Sequence, residues 1–141
     1  MSTTRTGQCH CGAVRFEVDF ANGIGALNRC NCSICRKKGA VMASVSLANF
    51  RLIAGADEST LYQWNTNIAK HHFCSICGIY THHRRRSEPD QIAINVACLD
   101  GPDVTIGREI GMLNGVSNSL VGEGKTKKFR LDFQVKCDRV D

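Results

Sequence analysis

Seven of the chain's nine cysteines fall into three short clusters, and this clustering constrains the fold more than any other feature. Cys9-His10-Cys11 precedes a strand-like segment. Cys30-Asn31-Cys32-Ser33-Ile34-Cys35 follows a turn region, and Cys74-Ser75-Ile76-Cys77 leads into Gly78. An odd number of cysteines cannot be fully paired within one chain. The first residues, Met1 to Gln8, are polar and lack the apolar core of a secretory signal. That points to a reducing, cytoplasmic setting, where thiols stay free or bind metal. Spacings of C-x-C and C-x-x-C suit metal-binding sites better than a disulfide framework.

A chain of 141 residues, 43% of them hydrophobic, predicts one domain over 1–141 with an ordinary core. The pattern is mainly β and mostly antiparallel. Val14, Phe16 and Val18 alternate with Arg15 and Glu17, the period of a half-buried strand. Phe129, Leu131, Phe133 and Val135 repeat that alternation near the end. Shorter runs lie at Val41 to Leu47, Arg51 to Ala54, Leu61 to Trp64, His71 to Cys74 and Ile92 to Leu99. The one helix candidate runs from Ser33 to Lys38, closed by Gly39. Residues 107–126, rich in Gly and Asn, read as loop. No apolar run approaches the roughly 20 residues that span a bilayer, so no membrane is expected.

The clusters carry the chemistry. Cys9, Cys11, Cys74 and Cys77 make two pairs, and two pairs close one tetrahedral zinc site of thiolates. In an extended segment, C-x-C puts both side chains on one face. Such a site ties the start of the domain to its middle as a structural staple. Spacing also allows Cys9 and Cys11 to join the central cluster instead. Cys30, Cys32 and Cys35 offer three sulfurs within six residues. Three protein ligands leave zinc a position for substrate, as catalytic sites do, and a thiol bound there is deprotonated. A fourth ligand, Cys98 or a His, would make this centre structural too. Arg36, Lys37 and Lys38 place positive charge beside it.

Cys98 lies in the apolar run Ile92 to Cys98 and reads as a small buried hydrophobe. Cys137 reads as incidental. His71-His72 and His82-His83 flank the Cys74 pair, and surface or packing roles fit them better than ligation. Arg84, Arg85 and Arg86 form either a solvated rim or an anion patch. A net charge of +5 is low for a dedicated nucleic-acid binder. The sequence has no G-x-S-x-G and no phosphate loop.

The ordered motifs resemble a known family, the glutathione-dependent formaldehyde-activating enzymes grouped with centromere protein V. They are Gly7-x-Cys9-x-Cys11-Gly12-x-Val14-x-Phe16, Cys30-x-Cys32-Ser33-x-Cys35-Arg36, Phe73-Cys74-x-x-Cys77-Gly78 and Asn95-Val96-x-Cys98-Leu99-Asp100, and the resemblance covers residues 7–115. The resemblance implies a zinc-stapled, Mss4-like β-tent of mainly antiparallel sheets. It implies that Cys9, Cys11, Cys74 and Cys77 hold a structural zinc, and that Cys30, Cys32 and Cys35 hold a second, catalytic zinc. It also implies the family's namesake reaction, in which glutathione and formaldehyde give S-(hydroxymethyl)glutathione. That reaction is classed in reverse as carbon–sulfur lysis. No glutathione-binding segment is legible in the sequence.

Two functional expectations follow. The first is a zinc-dependent carbon–sulfur lyase or synthase acting on a small thiol such as glutathione and an aldehyde. The second is a non-catalytic zinc module binding nucleic acid or another acidic partner through Arg84 to Arg86. A polar pocket beside Cys30, Cys32 and Cys35 favours the enzyme.

Overall fold

The alternation at Phe16 and Val18 becomes one arm of a hairpin that buries both side chains. A computed structural model describes residues 3–116 and 128–130. In chain order the elements are β1 (Thr4–Gln8), β2 (Arg15–Asp19), β3 (Leu27–Cys30) and the helix α1 (Ser33–Lys38). Then come β4 (Met42–Ser46), β5 (Phe50–Ala54), β6 (Ser59–Tyr62) and β7 (Lys70–Cys74). β8 (Tyr80–Arg84), β9 (Gln91–Asn95), β10 (Ile110–Leu113) and β11 (Lys128–Arg130) complete the set.

The molecule is mainly β, in two sheets. The smaller has the order β1-β2-β5, and the larger β11-β10-β3-β4-β9-β8-β7-β6. Among the described strands every pairing is antiparallel except β10 with β3. The main core lies where the inward residues Phe16 and Val18 meet Ala43, Val45, Ile92 and Ile94 of the large sheet. Cys98 packs into this core, as a buried small hydrophobe should. Helix α1 ends as expected: Gly39 adopts φ 65° and its N–H donates to the Cys35 carbonyl at 3.0 Å. Among the described residues no helix is long and apolar enough to cross a membrane.

Several elements differ from the sequence reading. Residues 110–113, expected as loop, form β10, with Met112 and Leu113 buried. The strand is four residues long and pairs in parallel with a segment far away in the chain, so no local alternation marks it. β1, β3 and β8 were also unmarked. β8 is a polar string, Tyr80-Thr81-His82-His83-Arg84, yet its first four residues are buried, because partner strands lie on both edges. Of the expected strand over 129–135, β11 covers the beginning; residues 131–135 and Cys137 lie outside the described residues.

Candidate functional site

The sequence separates the seven clustered cysteines into three groups, and the fold gathers them into two. Cys9, Cys11, Cys74 and Cys77 form one, with all four sulfurs within 4.8 Å of one another. Cys30, Cys32 and Cys35 form the other, within the same limit. Both groups could hold a metal ion.

The first group sits where two hairpin turns from different sheets meet. In the β1–β2 turn, the Cys9 N–H donates to the Val14 carbonyl at 3.0 Å and the Gly12 N–H to the Cys9 carbonyl at 3.2 Å. In the β7–β8 turn, the Cys74 N–H donates to the Ile79 carbonyl at 3.0 Å and the Gly78 N–H to the Cys74 carbonyl at 2.8 Å. Gly12 and Gly78 both take positive φ, 82° and 78°, which lets each chain fold back under its cysteines. Cys9 and Cys11 therefore converge through a turn, not through the extended segment expected from C-x-C spacing. Backbone N–H groups point at the sulfurs, Val14 to Cys9 Sγ at 3.3 Å and Ile76 to Cys74 Sγ at 3.4 Å. Backbone N–H groups of Cys11 and Ile79 pull the Cys77 thiol down to about 6. A zinc tetrahedron with metal–sulfur bonds of about 2.3 Å has edges of roughly 3.8 Å. Cys9 and Cys11 sulfurs lie 3.6 Å apart, and those of Cys11 and Cys74 3.7 Å apart. The donor set and its spacing fit that ion.

The second group is built from a strand end and a short helix. Cys30 is the last residue of β3, Cys32 is the extended residue before α1, and Cys35 is buried within α1. Asn31 fixes the loop between them. Its N–H donates to the Leu113 carbonyl at 3.1 Å, and its side chain bonds Asn114 Oδ1 and the Val116 N–H, each at 3.1 Å. The segment after β10 is thereby stitched across the cysteines. Gly115 is where it passes closest: a Cβ there would stand 2.7 Å from Cys30 Sγ. The three thiols share their protons unequally. Hydrogen bonds from Cys30 and Cys35 hold Cys32 far below the ordinary thiol range, while Cys30 and Cys35 are held above it. Among the described residues, no His, Cys, Asp or Glu joins these three as a fourth neighbour. Cys98, the expected alternative, donates instead to the Tyr80 carbonyl at 3.6 Å.

What lies beside the two groups differs. Cys30, Cys32 and Cys35 open onto a cavity of about 100 Å³, whose wall also includes Trp64, His71, His83, Arg85 and Arg86. The four histidines line up across β7 and β8. His71 stacks on His83 with ring centres 4.7 Å apart, and His72 on His82 at 4.5 Å. Adjacent histidines point to opposite faces, so the first pair reaches the cavity and the second meets Phe50 of the small sheet. Lys38 is turned inward. Its ammonium sits 3.6 Å over the Tyr80 ring and donates to His71 Nδ1 at 2.6 Å. Arg84, Arg85 and Arg86 are half-buried, not a solvated rim. Arg85 pairs with Glu88 and donates to Gln91 Oε1 at 2.7 Å.

The family model for the glutathione-dependent formaldehyde-activating enzyme matches residues 4–109, most of the chain. The chain belongs to that family. A relative from Halomonas elongata, named "Putative glutathione-dependent formaldehyde-activating enzyme", is 40% identical over 79 residues, half of each chain. This formaldehyde-activating family member thus spans about half the length of the curated relative it matches. The crystal structure of a Rhodobacter sphaeroides protein is 48% identical, with a TM-score of 0.70. That match covers 74% of this chain and 97% of the other.

Within this family member, the sequence named all seven clustered cysteines and the arginines that reach the cavity. It did not name Asn31, Trp64, Gly115 or the Lys38–His71 pair. Asn31 was flagged only by its place between two cysteines. Gly115 and Trp64 carry no local signal, because their contacts with the site come from distant parts of the chain.

Proposed function

We propose that this chain catalyses glutathione-dependent formaldehyde activation. Glutathione's thiol and formaldehyde join as S-(hydroxymethyl)glutathione, and the reverse cleavage is the carbon–sulfur lyase direction. The observation that carries this reading is the setting of Cys30, Cys32 and Cys35, three sulfurs converging on the wall of a cavity with Arg85 and Arg86 in the same wall. Membership of the family supports it. The donor sets suit zinc, with Cys9, Cys11, Cys74 and Cys77 as a structural staple and the three-cysteine centre as the reactive one. When bound there, zinc supplies a positive charge beside which a thiol ionises at neutral pH.

The chain's own side chains do the rest. The guanidinium groups of Arg85 and Arg86 suit the carboxylates of a peptide thiol such as glutathione, since their planar donors match carboxylate geometry. Trp64 offers an apolar face at the same wall. Holding thiol and aldehyde together makes their encounter intramolecular, which removes much of its entropic cost. In the reaction the sulfur lone pair forms the carbon–sulfur bond, and the carbonyl π pair moves onto oxygen. The thiol proton leaves to solvent, and a solvent proton reaches that oxygen. Thiol chemistry of this kind belongs in a reducing, cytoplasmic setting.

The test is adduct formation by the zinc-loaded protein, followed by NMR of glutathione and formaldehyde. A rate above the spontaneous one is expected. No rise over that rate, with both centres metal-loaded, overturns the assignment.

A further inference from the structure

Four histidines are buried or half-buried in the β7–β8 pair, and one has its tautomer dictated by its neighbour. His71 Nδ1 receives a hydrogen bond from the Lys38 ammonium at 2.6 Å. Burial lowers Lys38 to about 8, so at neutral pH its amine is still mainly protonated and donates; Nδ1 then accepts, and the ring proton sits on Nε2. His83 is not fixed in this way. Its Nδ1 faces the Tyr80 hydroxyl at 2.5 Å, and a hydroxyl can give or take a proton.

Position adds to tautomer. His71 lies in the partition between two cavities. One, of about 280 Å³, is lined by Lys38, Tyr62 and Tyr80; the other is the cavity of about 100 Å³ beside the three cysteines. Lys38 lines only the larger cavity, so the Nδ1 edge of His71 is engaged on that side. His71 also lines the cysteine cavity, and Nε2 is the ring nitrogen that Lys38 does not engage. Stacking on His83 and pairing across the strands fix the plane of the ring. Burial and the Lys38 charge keep the ring neutral, pushing it down to about 3.

We propose that His71 is the catalytic hydrogen-bond donor that receives the aldehyde oxygen at this site, and that Lys38 is the positioning residue that holds it in the Nε2–H form. The proposal rests on the formaldehyde-activating reading. As the sulfur lone pair forms the carbon–sulfur bond, the carbonyl π pair becomes charge on oxygen, and Nε2–H stabilises it. His71 keeps its proton; the oxygen is protonated from solvent. In the lyase direction the same N–H stabilises the oxygen as the carbon–sulfur bond breaks and the pair returns to sulfur.

Two measurements test this. Nitrogen-15 NMR of the zinc-loaded protein should find His71 as the Nε2–H tautomer, and Lys38→Met should release it into a mixture. An Nδ1–H tautomer in the unaltered protein overturns the proposal. In adduct formation, His71→Asn keeps an acceptor for Lys38 but loses the far donor, whereas His71→Gln places an amide N–H near the Nε2 position. His71→Asn should lower kcat about 100-fold, as loss of one oxyanion donor does. His71→Gln should retain most of kcat, with KM for glutathione and metal content unchanged in both variants and a similar fall in melting temperature in each. Equal losses in the two variants overturn the donor role while leaving the formaldehyde-activating reading in place. An inactive but metal-loaded parent overturns that reading and the donor role with it.

Discussion

The two cysteine centres use the same ligand atom in opposite surroundings. Cys9, Cys11, Cys74 and Cys77 come from two turns, each folded back on a positive-φ glycine, and all but the exposed Cys11 pack with Val14. Their sulfurs take backbone N–H bonds and complete a four-donor set. Cys30, Cys32 and Cys35 come from one continuous stretch, number three, and share a wall with a cavity. A centre assembled from distant turns would stabilise the fold on binding an ion, because the ion would hold only what folding has brought together. A centre assembled locally asks little of the fold and leaves room for a ligand.

The sharpest way to break this comparison is a cysteine exchange at each centre. Cys74→Ser should remove the folding free energy linked to a closed zinc site, roughly 10 kcal/mol, and circular dichroism should find no cooperative transition. Cys32→Ser should fold and carry about one metal ion fewer by elemental analysis. Equal unfolding of both variants would erase the division of roles.

Glycine substitutions probe the same contrast more gently. A Cβ at Gly55, where φ is 81°, would stand 2.0 Å from the Ala13 carbonyl oxygen, beside the turn that carries Cys9 and Cys11. Gly55→Ala should destabilise the protein by about 3 kcal/mol in urea unfolding. Gly115→Ala presses on Cys30 Sγ instead and should leave that stability nearly intact. Its effect should be a weakening of metal affinity at the three-cysteine centre by about tenfold or more, read by competition with a chelator.

Acid tests the burial that both histidine pairs share. Burial pushes His82 down from 6.5 to about 3, so the unfolded chain binds its proton first. The stabilisation from His82 is complete above about pH 6.5 and is lost as pH falls towards 3. At pH 4 the loss amounts to roughly 3 kcal/mol. His82→Phe, stacked against Phe50 and His72, should therefore reduce the slope of stability against pH over that range in urea titrations of metal-loaded protein, leaving the share of the other buried histidines. An unchanged slope would mean that the ring is not held neutral. The smallest effect is expected at the cavity wall. Arg86→Gln should raise KM for glutathione about threefold and leave the dependence on formaldehyde unchanged, as for a partly screened charge pair.

Much of the fold was legible where neighbours in sequence are neighbours in space. The hairpin strand through Phe16 and Val18, the helix from Ser33 to Lys38 and its Gly39 cap follow from local periodicity and glycine geometry. β10 was not legible, because its partner is β3 and the pairing is parallel and long-range. The histidines were read as surface or packing groups in preference to ligands, and the burial of His71, His82 and His83 depends on strands lying on either side. Arg84 to Arg86 were left open between a solvated rim and an anion patch, because a charge run carries no sign that Arg85 and Arg86 border a cavity.

By itself the sequence determined the donors: seven cysteines whose types and spacings admit soft-metal chemistry, and an odd total that forbids complete pairing. Only the tertiary structure decided their partition into a four-sulfur group and a three-sulfur group on a cavity. Spacing fixes which sulfurs can meet within a turn. Which turns meet each other is set by sheet pairing and core burial, and those depend on residues far from any cysteine.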